Sequence, residues 1–192
     1  NREMRYISTR GRAPSLSFSG VTLEGLAADG GLYLPETMPA LQPGKWRQLA
    51  GRSYPELAAA ILAPLAGGDL NHTQLEALCT ETYGPFRHAA VAPLVQLAPA
   101  HWLMELFHGE TLAFKDYALQ LLGKLFDHFL RETGEQRTIV GATSGDTGSA
   151  AIEACRGKAT LRVFILHPWG RVSDVQRRQM TTITCNRVQN LA

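Results

Sequence analysis

From residue 96 onward, the sequence alternates short apolar runs with longer segments of helical composition. The apolar runs are "HWLMELF", "RTIVGAT", "LRVFILHP" and "TCNRVQ", and the helices between them are predicted at 114–132, 147–156 and 173–181. Strands that alternate with helices of this length indicate β-α-β units, which form a parallel sheet with helices on both faces. Residues 96–192 are therefore predicted to be an α/β domain on an open parallel sheet. Because such sheets normally contain more strands, we expect the domain to be incomplete and to belong to a larger enzyme.

Residues 1–95 have a different character, since they carry most of the prolines and many turn sequences such as "ADGGLYLPETMP" and "LAGGDLNHT". Between the turns, "YPELAAAILAPL" and "TQLEALCTET" have helical composition, with Pro55 near the start of the first and Thr73 as the expected N-cap of the second. This part is predicted to be a small, mainly helical domain with one or two strands, near Tyr6 and Phe18.

Charge and cysteine content narrow the function classes. The net charge is only +2, from 19 basic and 17 acidic residues, so neither nucleic acid nor an anionic membrane is an expected partner. Cys79, Cys155 and Cys185 lie far apart, which fits neither a disulfide framework nor a sequence-local metal site. No apolar run approaches the roughly 20 residues of a membrane helix. We therefore expect a cytoplasmic protein.

The segment "FHGETLAFKDYALQLL" places Lys115 in the first turn of the helix predicted at 114–132. The positive end of the helix dipole disfavours a cation there and favours the neighbouring Asp116. Lys115 either reaches solvent along its methylene stem or serves as an amine of lowered pKa that forms a Schiff base with an aldehyde. The second interpretation makes it an anchor for pyridoxal phosphate; the residues alone leave both open.

The segment "TIVGATSGDTGSAAIEAC" runs from a strand through a loop of small residues into an alanine-rich helix. Backbone N–H groups at such a helix start bind carboxylates or phosphates. The loop is not a P-loop, a G-x-G-x-x-G loop or a G-x-S-x-G elbow. It is equally interpreted as an ordinary turn with Asp146 or Thr147 as N-cap. In a parallel sheet, this loop and the one before Lys115 both lie at the carboxyl ends of strands, where ligands bind.

Taken together, these motifs resemble the threonine synthases, pyridoxal-phosphate enzymes of the tryptophan-synthase-like fold (fold type II). The resemblance runs over essentially the whole chain. "YISTRG" and "SFSGVTLEGLAADGGLYLPE" look like the N-terminal segment of the longer members, "FHGETLAFKD" like the segment of the Schiff-base lysine, and "GATSGDTGSAA" and "HPWGRVSDVQRRQMTT" like two further family segments. Glu110 replaces a proline that is frequent in the family.

The resemblance implies conversion of O-phospho-L-homoserine and water to L-threonine and phosphate. Lys115 would hold pyridoxal phosphate and move protons at the α and β carbons of the substrate, and Asp146 would face the cofactor ring. Substrate contacts would come from Thr143, Ser144, Gly145 and Thr147 for the carboxylate and from Arg171 and Ser173 for the phosphate. Arg171 could equally be a solvated cation, and Ser173 could equally be a helix N-cap. His108 and His167 are expected to be structural.

The family's cofactor-phosphate loop and its partner for the pyridine nitrogen lie beyond residue 192. By resemblance, the present stretch alone is therefore expected to bind pyridoxal phosphate weakly and to have no turnover. Two alternatives remain: a threonine-synthase-like phospho-lyase that releases a keto acid, and a non-catalytic anion-binding module in which Lys115 is a surface residue.

Overall fold

The computed structural model describes residues 4–40, 42–143 and 145–192. The chain divides into two compact units, Asn1–Gly84 and Pro85–Ala192. The boundary predicted from sequence, between residues 95 and 96, falls inside the first strand of the second unit. None of the helices in the described ranges is long and apolar enough to cross a membrane.

The first unit is mainly helical. Its elements in chain order are β1 (Tyr6–Ser8), α1 (Phe18–Glu24), β2 (Tyr33–Pro35), α2 (Pro43–Gln48), α3 (Tyr54–Ala66) and α4 (His72–Tyr83). The two short strands pair antiparallel, and α3 packs against α4. Buried side chains from these two helices, among them Ala59, Leu75 and Cys79, form much of this unit's core.

Two sequence predictions in the first unit are wrong in detail. The strand expected near Phe18 is the helix α1, because the hydroxyl of Ser17 accepts a hydrogen bond from the Gly20 N–H and starts a helix there. Helix α4 is capped by Asn71 rather than by Thr73: the Asn71 side chain accepts from the N–H of Gln74, whose side chain accepts from Asn71 in return.

The second unit contains an antiparallel hairpin and a parallel sheet. Its elements are β3 (Leu94–Ala98), β4 (His101–Met104), α5 (Asp116–Thr133), β5 (Arg137–Ala142), α6 (Asp146–Cys155), β6 (Leu161–Leu166), α7 (Asp174–Thr181) and β7 (Val188–Leu191). The sheet order is β5-β6-β7, and both pairings are parallel. The predicted parallel sheet is thus confirmed.

The apolar run "HWLMELF" does not join this sheet. Its first part is β4, which pairs antiparallel with β3. The two strands are separated by only Pro99 and Ala100, and a two-residue connection permits a hairpin but not a parallel crossover. All residues of both strands are exposed.

Helix α6 packs on one face of the sheet. A Cβ added to Gly148 in α6 would lie 3.2 Å from Ile165 Cγ2 in β6, so the helix backbone comes close to the strand there. On that face Val163 and Ile165 are buried, whereas Val140 and Leu166 on the opposite face are exposed among the described residues. The packing of α6 keeps its first residue at the carboxyl edge of the sheet, directly after β5.

Candidate functional site

Lys115 lies immediately before α5. The helix begins at Asp116 rather than at residue 114, so Lys115 is its N-cap and not a first-turn residue. Its backbone is helical, with φ −64° and ψ −21°, and its carbonyl accepts a hydrogen bond of 2.9 Å from the N–H of Leu119. Its Nζ lies 5.6 Å from the centroid of the Phe114 ring. The backbone therefore fixes the start of a long, flexible side chain at a defined helix end.

The Lys115 side chain reaches the start of α6. Its Nζ lies 3.0 Å from Oδ1 of Asp146 and donates a further hydrogen bond to Oγ1 of Thr147. The Lys115 and Asp146 side chains are 29% and 46% exposed, so the pair is open to solvent and contributes little to stability. Residues that are 31 positions apart in sequence thus meet at the amino ends of two helices.

The electrostatics of the pair favour an ionised Asp146. The hydrogen bond from Lys115 is the largest influence that holds the pKa of Asp146 below its usual value, and the charge of Lys115 and the N–H of Thr147 act in the same direction. Asp146 also lies in the first turn of α6, where the positive helix end favours an anion. At neutral pH the arrangement is therefore a lysine beside a carboxylate and a hydroxyl.

The loop that leads into α6 is tightly packed. Gly145 is the N-cap of α6, not Asp146 or Thr147, and no side chain caps the helix there. The Gly145 N–H donates to the hydroxyl of Thr143 at 3.3 Å. A Cβ on Gly148 would lie 2.6 Å from Thr143 Cγ2, so at least this small residue serves close packing. Ser144, also predicted to contact substrate, lies outside the described residues.

The remaining predicted residues lie near α7 and contact neither Lys115 nor Asp146 by a hydrogen bond or ion pair in the described ranges. Ser173 is the N-cap of α7, and its hydroxyl accepts from the N–H of Gln176 at 3.3 Å, which is the capping role left open by the sequence. Arg171 is exposed. The site as observed therefore centres on Lys115, Asp146 and Thr147.

The two histidines considered as bases have separate surroundings. Nε2 of His108 lies 2.8 Å from Oε2 of Glu105, and both side chains are largely buried. His167 donates its backbone N–H to Leu191 O at 2.9 Å, which ties the end of β6 to β7. These contacts fit the structural role expected for both.

Sequence reasoning missed the contacts of Asp116. Its carboxylate is completely buried and accepts hydrogen bonds from the backbone N–H and the hydroxyl of Thr111, each 2.8 Å long. Gln120, one turn further along α5, donates to the same carboxylate at 3.2 Å. The i, i+4 spacing of Asp116 and Gln120 was visible in the sequence, but a polar pair of this kind is ordinarily solvent-exposed.

A lysine, a carboxylate and a small-residue loop lie together beside a parallel sheet, which places the chain among α/β proteins and makes this group of residues a candidate ligand site. Residues 5–83 match the family model described as the threonine synthase N terminus. The chain corresponds to the N-terminal portion of threonine synthases, to which it is similar over 98% of its length.

Individual relatives agree with this assignment. Threonine synthase of Pseudomonas aeruginosa is 54% identical over 189 residues, which are 98% of this chain and 40% of that protein. A human protein named threonine synthase-like 2 is 39% identical over 94% of this chain and 37% of its own length. The chain therefore spans about 40% of the length of the curated relatives it matches.

Solved structures give the same picture. A crystal structure of PLP-bound threonine synthase from Brucella melitensis superposes with a TM-score of 0.95 at 53% identity, covering 98% of this chain and 41% of that one. Threonine synthase from yeast superposes with a TM-score of 0.92 at 41% identity, again over 41% of its own chain. The fold described above is thus that of the first two fifths of these enzymes.

Proposed function

We propose that this chain is the N-terminal part of a pyridoxal-phosphate-dependent lyase that converts O-phospho-L-homoserine and water to L-threonine and phosphate. The observation that carries the proposal is the contact of Lys115 with Asp146 and Thr147 at the start of α6. It puts a reactive amine beside a helix start suited to anionic groups. The similarity to threonine synthases supports the same reaction.

The residues present fit the cofactor. Lys115 supplies a primary amine, 29% exposed and therefore reachable by an aldehyde. At the N-terminus of α6 the N-cap residue Gly145 has no side chain, and the positive end of the helix favours an anionic ligand group there. When bound, pyridoxal phosphate supplies an electron sink for carbanion chemistry next to the substrate amine.

The chain's own residues have distinct tasks in this proposal. The Nζ of Lys115 would hold the cofactor and would move protons at the α and β carbons of the substrate. Asp146 orients that amine through its 3.0 Å contact and would lie on the side of the cofactor ring. The substrate carboxylate is held by hydroxyls and backbone N–H groups of Thr143, Ser144, Gly145 and Thr147.

The substrate phosphate is assigned to the segment before α7. Arg171 is exposed and therefore available to an anion, and a guanidinium binds phosphate oxygens in pairs. The hydroxyl of Ser173 accepts the capping bond from the Gln176 N–H and donates its own proton to Oε1 of Gln176 at 3.1 Å. To bind a phosphate oxygen it would have to donate that proton to the phosphate instead. We therefore expect Arg171 to contribute more to phosphate binding than Ser173.

Borohydride trapping on the full-length protein tests the assignment of Lys115. Reduction in the presence of pyridoxal phosphate should leave a pyridoxyl group on Lys115, detected by peptide mass spectrometry. Lys158 serves as an internal control. Burial is the main cause that lowers its pKa, so it also offers an uncharged amine, but it lacks the neighbours that surround Lys115. An adduct on Lys158 but not on Lys115 would favour the anion-binding module in place of the enzyme.

Product analysis with O-phospho-L-homoserine separates the synthase from the phospho-lyase. Threonine and phosphate in equal amounts support the proposal, whereas a keto acid and ammonia without threonine identify the phospho-lyase. For residues 1–192 alone we expect no turnover and weak cofactor binding, since the chain is about two fifths of its relatives; tight stoichiometric binding would contradict this. We place the reaction in the cytoplasm, in keeping with three free thiols.

A further inference from the structure

The turn that precedes Lys115 is held in an unfavourable conformation. Leu112 has φ 63°, a left-handed backbone that costs a non-glycine residue of the order of 1 kcal/mol. A Cβ on Gly109 would lie 2.5 Å from both Cβ and Oδ2 of Asp116, so a side chain at this position would require movement of the helix start. Such a turn persists only where neighbouring groups hold it in place.

Asp116 is the group that holds this turn. Its carboxylate is completely buried and binds both polar groups of Thr111, the backbone N–H at Oδ2 and the hydroxyl at Oδ1. A buried carboxylate is costly unless its oxygens are hydrogen-bonded, and here both are. An apolar residue at position 116 would remove both bonds and leave the Thr111 N–H without its partner.

The same network reaches the two helices that follow. The side-chain amide of Gln179 in α7 donates to the carbonyl of Thr111 at 3.2 Å. Gln120, which donates to Asp116, also lies 3.5 Å from the carbonyl of Ala150 in α6. Asp116 is therefore linked to α7 through Thr111 and to α6 through Gln120.

We propose that Asp116 is a positioning residue: acting through Thr111, it holds the 109–112 turn so that Lys115 points at the start of α6. This inference rests on the function proposed for Lys115. Asp116 itself touches neither Lys115 Nζ nor Asp146 through its carboxylate, so its effect is on geometry. Loosening the turn should release Lys115 from Asp146 and Thr147 and make it a more exposed but less productive amine.

A matched pair of substitutions in the full-length protein tests this. Thr111→Val removes the hydroxyl that donates to Asp116 in α5. Thr160→Val removes a hydroxyl that donates at 2.5 Å to Asp127, which also lies in α5 but further from Lys115. Each loses one threonine-to-carboxylate hydrogen bond, so a similar loss of stability is expected from both. Only the first is expected to alter Lys115.

Two measurements are made on each variant. In cofactor-free protein, labelling of Lys115 by trinitrobenzenesulfonate, mapped by mass spectrometry, should rise about threefold in Thr111→Val as its ion pair loosens. At limiting pyridoxal phosphate, the borohydride-reduced adduct on Lys115 should fall about tenfold, since small misplacements of a reacting group have large kinetic effects. Thr160→Val should stay within about twofold of the unchanged protein in both measurements.

Equal effects of the two substitutions, or none from Thr111→Val, would overturn the proposal and leave Asp116 a purely structural residue. Should Thr111→Val not fold, Asp116→Asn replaces it. Its amide oxygen keeps the bond from the Thr111 N–H, but its NH₂ stands in place of Oδ1, where the Thr111 hydroxyl and Gln120 both donate, so the same changes at Lys115 are expected in smaller measure. Absence of an adduct in the unchanged protein would refute the function proposed for Lys115, whereas the labelling comparison would still decide the role of Asp116.

Discussion

Replacement of Gly123 by alanine sets two physical effects against each other. Gly123 lies in the interior of α5, where alanine is favoured over glycine by about 1 kcal/mol through helix propensity. A Cβ at this position would, however, lie 2.3 Å from the carbonyl oxygen and 2.9 Å from the carbonyl carbon of Ala154 in α6. Since carbon–oxygen contacts are normally about 3.3 Å or longer, the two helices would have to separate by about 1 Å.

The contact with α6 should dominate. Overpacking of this kind costs about 1–3 kcal/mol, and because the obstacle is backbone rather than a flexible side chain, we expect the upper end of that range. After subtracting the gain in propensity, Gly123→Ala should destabilise the protein by about 2 kcal/mol. In the full-length protein, of which this chain is about 40%, that should lower the melting temperature by about 2 °C. Differential scanning calorimetry of the full-length protein measures this directly.

Two controls make the test of Gly123 specific. Gly44→Ala in α2 introduces a methyl group with no atom within 4 Å, so the melting temperature should be unchanged or slightly raised. Adding Ala154→Gly to Gly123→Ala removes only the 3.1 Å contact with Ala154 Cβ and should restore little stability. A melting temperature of Gly123→Ala equal to or above that of the unchanged protein would refute the close packing of α5 on α6.

Two further predictions concern the first unit. Asp29 accepts hydrogen bonds from the Ser8 hydroxyl, the main cause, and from three backbone N–H groups, which hold its pKa at about 2. Because this pKa is below the usual value near 4, the ionised Asp29 stabilises the fold above about pH 4, and the stabilisation is lost as pH falls toward 2. The difference in melting temperature between the unchanged protein and Asp29→Asn should therefore shrink from about pH 4 to about pH 2. A difference that stays constant over this range would contradict the prediction. Ser53 caps α3 together with Glu56, so Ser53→Ala should cost about 1 kcal/mol in urea unfolding and Ser53→Gly only a few tenths, and equal losses would argue against a capping role.

The architecture around the site was accessible from the sequence because its patterns are local. The apolar runs that became β5 and β6, and the helix between them, were predicted within one or two residues of their observed bounds. The loops before α5 and α6 were expected to meet because each was taken to follow a strand of the parallel sheet. Lys115 and Asp146 do meet, although the strand before Lys115 belongs to the hairpin and not to that sheet. Their roles in catalysis stay predictions.

Other features could not be found in this way because they depend on pairing or on distant contacts. The pattern of β4 shows an extended segment but not its partner, and only the hairpin with β3 decides that it runs antiparallel. Asp116 is buried and bonded to Thr111, and the carbonyl of Thr111 accepts in turn from Gln179 in α7, far along the sequence. No window of the sequence contains that information.

The exposed hairpin of β3 and β4 makes Trp102 a natural optical reporter. Its side chain is 53% exposed, so in this chain its fluorescence should resemble that of an indole in water and be readily quenched by iodide. Any polypeptide that covers the hairpin would move the ring into a less polar environment and shift the emission to the blue. With Trp46 and Trp169, which are also exposed, replaced by phenylalanine, the molecule would carry its own spectroscopic signal for the assembly of this surface.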